Sequence, residues 1–111
     1  MQQKDIVWIS VPYSNMEEEK IRPALVVSNT DYNQKNPDVV ICSITSNLEK
    51  KPYSVFISQK NMKTGQLPLE SKIRADKLMQ VEKKRILKPF ASLDDRTFQL
   101  VTQEIISLIS S

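Results

Sequence analysis

The chain contains no histidine and only one cysteine, Cys42. Without histidine there can be no histidine general base, no Ser–His or Cys–His nucleophile and no histidine-ligated metal. A single cysteine excludes an internal disulfide and a multi-cysteine zinc site, and it favours a reducing compartment. Any chemistry must therefore come from Asp, Glu, Lys, Arg, Tyr, Ser or Thr, and we expect neither a metal nor another cofactor.

Long apolar runs and glycine are also scarce. No run approaches the ~20 apolar residues that cross a bilayer, and the N-terminus has no basic-then-apolar leader. We therefore expect a cytoplasmic protein without a membrane partner. Only one glycine, Gly65, is available for turns. We expect asparagines to take the remaining tight positions, with Asn15, Asn29, Asn36, Asn47 and Asn61 as candidates.

What the chain does contain fits one soluble domain with an uneven charge distribution. Its 111 residues are 40% apolar and 26% charged, and no linker or repeat divides them, which predicts a single domain over residues 1–111. The net charge is +3; residues 60–88 carry +6, so the rest of the chain carries −3. This basic half fits a polyanionic partner or, alternatively, a solvated lysine-rich face.

Short β-branched and aromatic segments dominate the chain and are typical of strands. They predict strands at residues 6–11, 24–27, 39–44 and 53–57. Two more strands are predicted around residues 72–81 and 85–90, where Pro89 indicates an edge or a strand end. Residues 31–34 and 81–84 are candidates for single helical turns. The sequence thus predicts five to seven short strands.

The last segment changes to helical periodicity. Ser92 and Asp95 have the spacing of a capping box, which predicts that a helix begins there. Apolar residues then recur every three or four positions, at Phe98, Val101, Ile105 and Leu108 or Ile109. We therefore predict a mainly β fold with helices, a small and strongly bent antiparallel sheet or barrel closed by a C-terminal amphipathic helix.

Acidic and basic side chains share one face of the strand predicted at residues 72–77. Residues two apart in a strand point to the same side, so Lys72, Arg74 and Asp76 lie together, and Arg74 can reach Asp76. A carboxylate beside a guanidinium stays ionised and can accept a proton. The same pair could instead be an ordinary surface ion pair.

Two other places offer side chains that can bind phosphate. Arg22 precedes Pro23, which biases Arg22 toward an extended backbone at the entrance to a strand, where its planar fork could bind phosphate. Thr45, Ser46 and Asn47 close the most apolar strand. Their hydroxyl and amide groups could contact a phosphate or merely cap the turn.

Several blocks of the sequence, taken together, resemble the MazF/PemK (Kid) toxin family. In chain order they are residues 4–9 (Lys-Asp-Ile-Val-Trp-Ile), 12–14 (Pro-Tyr-Ser), 22–29 (Arg-Pro-Ala-Leu-Val-Val-Ser-Asn), 44–46 (Ile-Thr-Ser), 73–77 (Ile-Arg-Ala-Asp-Lys) and 92–94 (Ser-Leu-Asp). They span almost the whole chain. The first block departs from the family pattern, because Lys4 stands where family members usually have glycine.

The resemblance implies an SH3-like barrel, a homodimer and a toxin that cuts single-stranded RNA without a metal. It also implies an antitoxin whose flexible acidic segment lies along the RNA-binding groove. The functional positions of the family fall on Arg22, Thr45, Arg74 and Asp76. As a hypothesis, Asp76 accepts the proton of the attacking 2′-hydroxyl, Arg22 and Arg74 stabilise charge on the phosphate, and Thr45 holds a phosphate oxygen.

Further side chains are candidate RNA contacts, because single-stranded RNA is read by base stacking and by hydrogen bonds. These candidates are Tyr13, Pro23, Ser46, Asn47, Lys72 and Lys77. Tyr53 is another possible stacking residue, although it alternates in phase with two apolar residues and could belong to the core. The donor of the proton to the leaving group stays open among Arg74, Lys72 and Lys77.

Two other classes of function stay open. In one, the same barrel poisons a protein target, as the related CcdB-type gyrase inhibitors do. In the other, the chain is a non-catalytic SH3-like module that binds RNA or an antitoxin. The absence of histidine and the three glutamates at residues 17–19 favour the non-catalytic module. The joint presence of Arg22, Thr45, Arg74 and Asp76 favours the ribonuclease.

Overall fold

The computed structural model describes residues 1–12 and 18–111, so the predicted RNA contact Tyr13 and the turn residue Asn15 lie outside the described residues. Seven strands and two α-helices occur in the described part. They are β1 (Asp5–Pro12), β2 (Glu19–Val26), α1 (Thr30–Lys35), β3 (Asp38–Thr45), β4 (Ser54–Ile57), β5 (Met62–Gly65), β6 (Ser71–Glu82), β7 (Ile86–Leu93) and α2 (Asp95–Ile109). Short 3-10 helices cover Gln59–Asn61 and Lys83–Arg85. The predicted mainly β fold with a C-terminal helix is confirmed.

All seven strands belong to one antiparallel sheet. Their order is β4-β6-β3-β2-β1-β7-β5, and every neighbouring pair runs antiparallel. The edge strands β4 and β5 each pair with one neighbour, so the hydrogen-bonded sheet is not closed into a ring. Only the pairs β1–β2 and β2–β3 are consecutive in the chain; the other four neighbouring pairs join strands that are distant in sequence.

Two hydrophobic clusters make up the core. Because strand side chains alternate, neighbouring residues such as Ile6 and Val7 on β1 belong to different clusters. The first cluster contains Ile6, Leu25, Cys42, Ile44, Val55, Ile57, Ile73, Ala91, Leu93 and Val101. The second contains Val7, Ile9, Ala24, Val26, Val39, Ile41 and Val81.

Helix α2 covers the first cluster with only part of its predicted apolar stripe. Val101 is fully buried, and Phe98 and Ile105 pack against the cluster. Leu108 and Ile109, at the end of the stripe, are exposed instead, because the last turn of the helix extends past the core. No helix in the described ranges has the length and apolar content needed to cross a bilayer.

The structure corrects the predicted start of α2. Asp94, not Ser92, is the N-cap, and its side chain accepts a hydrogen bond from the backbone N–H of Thr97. Ser92 lies inside β7, and its hydroxyl pairs with that of Thr64 on β5. Strand β5 was missed by the sequence analysis because its four residues carry little apolar signal and pair only at the sheet edge.

The asparagines at residues 29, 36, 47 and 61 lie at turns and helix ends, but none of them has a left-handed φ angle. The described residues with left-handed φ angles are Lys4 (+80°), Tyr53 (+58°) and Gly65 (+76°). Asn29 instead caps α1, accepting a hydrogen bond from the N–H of Tyr32. The φ of +80° at Lys4 is a backbone conformation that glycine adopts without strain and other residues adopt at a cost.

Candidate functional site

A groove opens where strands β2 and β3 separate. The two strands pair only between residues 24–26 and 41–43, although β2 begins at Glu19 and β3 continues to Thr45. The groove has a volume of about 740 Å³. Six residues predicted from the sequence to be functional line it, namely Arg22, Pro23, Thr45, Ser46, Arg74 and Lys77.

The charged side chains that line the groove in the described part of the chain are all cationic. Three cationic side chains, those of Arg22, Arg74 and Lys77, line it, and none of its described lining residues is Asp or Glu. The remaining lining is mostly apolar, with Ile21, Leu69 and others on the walls. A concave surface with this charge favours an anionic ligand and concentrates it by electrostatic attraction.

Arg74 and Asp76 form a bidentate ion pair beside the groove. The Nε of Arg74 donates to Oδ1 of Asp76 at 3.1 Å, and Nη2 donates to Oδ2 at 2.8 Å. The two side chains are 27% and 32% exposed. The hydrogen bonds from Arg74 hold the pKa of Asp76 below its usual range, and the charge of Lys51 acts in the same direction. The same contact raises the pKa of Arg74 above its already high value.

A bulge in β6 places this pair. Ser43 on β3 is opposite Arg74, but Cys42 is opposite Leu78, so residues 75–77 have no partner on β3. The N–H of Ala75 is bound instead by the carbonyl oxygen of Tyr53 at 2.9 Å. Asp76 and Lys77 are therefore carried on a backbone segment that leaves the regular sheet.

The loop between β3 and β4 (residues 46–53) is fastened onto β6 beside the bulge. Tyr53 ends this loop in a left-handed conformation, which is unusual for a bulky residue and marks a backbone held by its surroundings. The Nζ of Lys72 donates to the backbone carbonyl of Glu49 in the loop. Lys72 is only 6% exposed and does not line the groove, so its predicted RNA contact has no support in the geometry.

Arg22, like Lys77, is a cation of the groove that has no ion-pair partner among the described residues. It lies opposite Ile9 of β1 in the sheet and is exposed. Within residues 1–12 and 18–111, its guanidinium makes no hydrogen bond or ion pair. No described residue therefore occupies its donors, which suits bidentate binding of phosphate.

Thr45 and its neighbours form a polar turn at the end of β3. The hydroxyl oxygen of Thr45 accepts the backbone N–H of Asn47 at 3.1 Å, and the side-chain oxygen of Asn47 accepts the N–H of Glu49 at 3.0 Å. Both therefore cap the turn. Thr45 and Ser46 also face the groove, whereas Asn47 is exposed and is not among the residues that line it.

Two aromatic residues of the groove are not among those predicted from the sequence. Trp8 on β1 and Phe90 on β7 stack with a ring-centre distance of 4.5 Å and an angle of 20° between their planes, and both line the groove. Each lies in a segment with a strong strand pattern, which favours a place in the core. Their adjacency across two strands separated by some 80 residues of sequence carries no local signal.

Other nucleophile and metal chemistry has little basis in the described part of the chain. No group of three or more Cys, Asp or Glu residues there could hold a metal ion. Burial raises the pKa of the Cys42 thiol to about 12, and the charge of Asp76 adds to the shift. A thiol with such a pKa is not a nucleophile at neutral pH.

Solved structures with the same fold are toxins, some of them bound to antitoxins. A MazE–MazF crystal structure from Deinococcus radiodurans has a TM-score of 0.82 and 20% identity, covering 98% of this chain and 95% of that one. An endoribonuclease in complex with its cognate antitoxin, from a mycobacterial species, has a TM-score of 0.79 and 18% identity, covering 96% and 92%. The Mycobacterium tuberculosis toxin MazF-mt6 has a TM-score of 0.76 and 14% identity, covering 93% of each chain.

These sequence identities show only that the folds are similar. The family is shown by a match of the sequence itself. None of the curated proteins compared with the chain matches it. Residues 2–109, however, match the family described as the PemK-like, MazF-like toxin of type II toxin-antitoxin systems. Since this match includes nearly every residue, the chain belongs to the PemK-like, MazF-like family of type II toxins.

Proposed function

We propose that this toxin is a metal-independent endoribonuclease that cuts single-stranded RNA at specific sequences. The observation that carries the proposal is the groove: Arg22, Arg74 and Thr45 line it, none of its described lining residues is Asp or Glu, and the ion pair with Arg74 holds Asp76 beside it. Arg22 and Lys77, the lining cations with no ion-pair partner among the described residues, attract the RNA backbone. A carboxylate at the edge supplies the one base that the reaction needs.

The reaction needs no nucleophile from the protein, because the 2′-hydroxyl of RNA attacks the adjacent phosphorus. Asp76 accepts the hydroxyl proton while the new P–O2′ bond forms and the P–O5′ bond breaks. The guanidinium groups of Arg22 and Arg74 stabilise the charge that gathers on the phosphorane oxygens, and Thr45 donates to one of them. The products are a 2′,3′-cyclic phosphate and a 5′-hydroxyl end.

The leaving 5′-oxygen also needs a proton, and Lys77 is the best candidate for its donor. Lys77 lines the groove, whereas Lys72 is buried and bound to a backbone carbonyl. Arg74 is a poor acid, because its contact with Asp76 raises its pKa further.

We propose an antitoxin as the second partner, and a homodimer as the assembly. Two of the similar structures are toxin complexes with an antitoxin. An apolar groove with a basic lining fits a flexible acidic segment as well as RNA. For the homodimer, light scattering of the purified toxin should return the mass of two chains, and the mass of one would refute it. A cytoplasmic location follows from these partners and stays a prediction.

The decisive experiment incubates the antitoxin-free protein with a long single-stranded RNA in the presence of a chelator. We expect cuts at a defined sequence with 5′-hydroxyl and 2′,3′-cyclic phosphate ends. Arg22→Ala should lower the rate by about 10²–10³-fold, the usual effect of removing one charge-stabilising donor. Arg96→Ala is the matched control, because Arg96 is an exposed arginine on α2 that makes no hydrogen bond or ion pair in the described structure.

Intact RNA with a folded wild-type protein would contradict the proposal. It would favour the non-catalytic binding module or a toxin directed at a protein, and inhibition of gyrase would separate those two. Equal losses in Arg22→Ala and Arg96→Ala would show that general charge, rather than the groove, determines the rate.

A further inference from the structure

The stacked pair formed by Trp8 and Phe90 has no role in the cleavage chemistry proposed above, although it lines the same groove. Phe90 also packs against the first core cluster, so the core supports the pair from below. Trp8 is partly exposed. A supported and partly exposed indole in a groove offers a rigid flat surface to a planar ligand.

The position of Trp8 relates it directly to the phosphate-binding part of the groove. In the register of β1 and β2, Trp8 lies opposite Pro23, and Arg22 is the next residue along β2. Successive side chains of a strand leave opposite faces of the sheet, so the register by itself does not bring the two side chains together. Both Trp8 and Arg22 nevertheless line the same groove, where one nucleotide can contact the guanidinium with its phosphate and the indole with its base.

The charge of the groove indicates which class of ligand it binds. Three cationic side chains and no described carboxylate line it, which favours a polyanion over a neutral apolar ligand. Single-stranded nucleic acid combines a charged backbone with flat bases that stack on aromatic side chains. An acidic peptide matches the charge but not the flat indole surface, and it is one outcome of the test below.

We propose that Trp8, supported by Phe90, is a base-stacking subsite for one unpaired nucleobase of RNA, next to the phosphate held by Arg22. The inference rests on the proposed function only in taking RNA as the ligand. Stacking accepts any base, so the subsite holds the strand in place and selects single-stranded over duplex RNA.

Trp8 is the single tryptophan of the chain, so intrinsic tryptophan fluorescence reports on this subsite alone. The probe is an RNA oligonucleotide around the cleaved site with a 2′-O-methyl group at the attacked sugar, which blocks cleavage. If no RNA is cleaved, homopolymers of each base are the probes. We expect saturable fluorescence quenching by the single strand and none by the same sequence as a duplex.

Two changes, Trp8→Ala in the protein and an abasic site in the RNA, are made singly and together to locate the contact. Trp8→Ala should weaken binding of the labelled oligonucleotide by about 5- to 160-fold, the equivalent of ~1–3 kcal/mol per stacked base. An abasic site at one position should weaken binding to the wild type by a similar factor, yet have little further effect on Trp8→Ala. Phe56→Ala is the matched control, because Phe56 is an exposed phenylalanine on β4 that does not line the groove.

The outcomes separate this inference from the proposed function. Coupling between Trp8 and one base position supports the subsite, whether or not the RNA is cleaved. Cleavage by the wild type without such coupling at any position overturns the subsite and leaves the nuclease standing. Quenching by a polyglutamate peptide but not by single-stranded RNA overturns it in favour of a peptide-binding groove. Phe90→Leu retains the tryptophan and should reduce the quenching if Trp8→Ala fails to fold.

Discussion

Replacing Asp76 by asparagine should separate the chemistry of the site from the stability of the fold. The change keeps the shape of the side chain but removes the negative charge of the carboxylate, to which Arg74 donates two hydrogen bonds. The pair is about a third exposed, so water replaces much of the lost interaction. We expect a loss of only ~0–1 kcal/mol in the free energy of unfolding, which lowers the melting temperature by a few degrees at most.

The expected effect on cleavage is much larger. Loss of a general base lowers the rate by about 10²–10⁴-fold, which corresponds to ~3–5 kcal/mol in the activation barrier. The pH dependence follows from the pKa of Asp76, which its contact with Arg74 lowers. A base with a lowered pKa stays ionised on acidification, so the wild-type rate should persist to at least pH ~4, the usual pKa of aspartate, and fall only below it.

The assay compares initial cleavage rates and thermal unfolding for the wild type, Asp76→Asn and Asp31→Asn. Asp31 is a matched control, because it also forms a salt bridge, with Lys35 on α1, but neither partner of that pair lines the groove, whereas Arg74 does. A near-wild-type rate in Asp76→Asn would refute its role as the base. If Asp76 only orients Arg74, the variant should keep the pH profile of the wild type. If Asp76 is the base, the residual rate should rise about tenfold per pH unit, because hydroxide then takes the proton.

Three further predictions concern the support of the site. Lys72→Met should release the loop anchored at Glu49 and increase its cleavage by proteases, whereas Lys60→Met should not; equal digestion of both variants would show that the anchor is dispensable. Cys42, with a thiol pKa raised to about 12, should react with an alkylating reagent only after unfolding, so rapid labelling of the native protein would contradict its burial. Gly65→Ala should lower the free energy of unfolding by at least ~1–2 kcal/mol, because the added Cβ would lie 2.6 Å from the Cα of Ala91 and the φ of residue 65 is +76°. Urea unfolding measures this change, and an unchanged urea midpoint would show that β5 can shift to accommodate the Cβ.

Local patterns predicted the central elements and most of the candidate site. The apolar β-branched runs identified β1, β3 and β4 to within a residue or two, because burial of a strand requires such residues whatever the surrounding fold. The alternation of side chains along β6 correctly predicted that Arg74 lies beside Asp76. The same reasoning failed for Lys72, because its side chain is held by the carbonyl of Glu49 in the β3–β4 loop, a contact that no period-two pattern contains.

The sequence by itself determined the family, the mainly β fold with its C-terminal helix, and the inventory of groups that can act, since composition and motif order are properties of the chain. Only the tertiary structure decided which of those groups meet. The separation of β2 from β3 brings Arg22 to the same groove as Arg74, and the pairing of β1 with β7 brings Trp8 against Phe90. These contacts join residues far apart in sequence, and they depend on strand order and register, which the packing of the whole sheet sets.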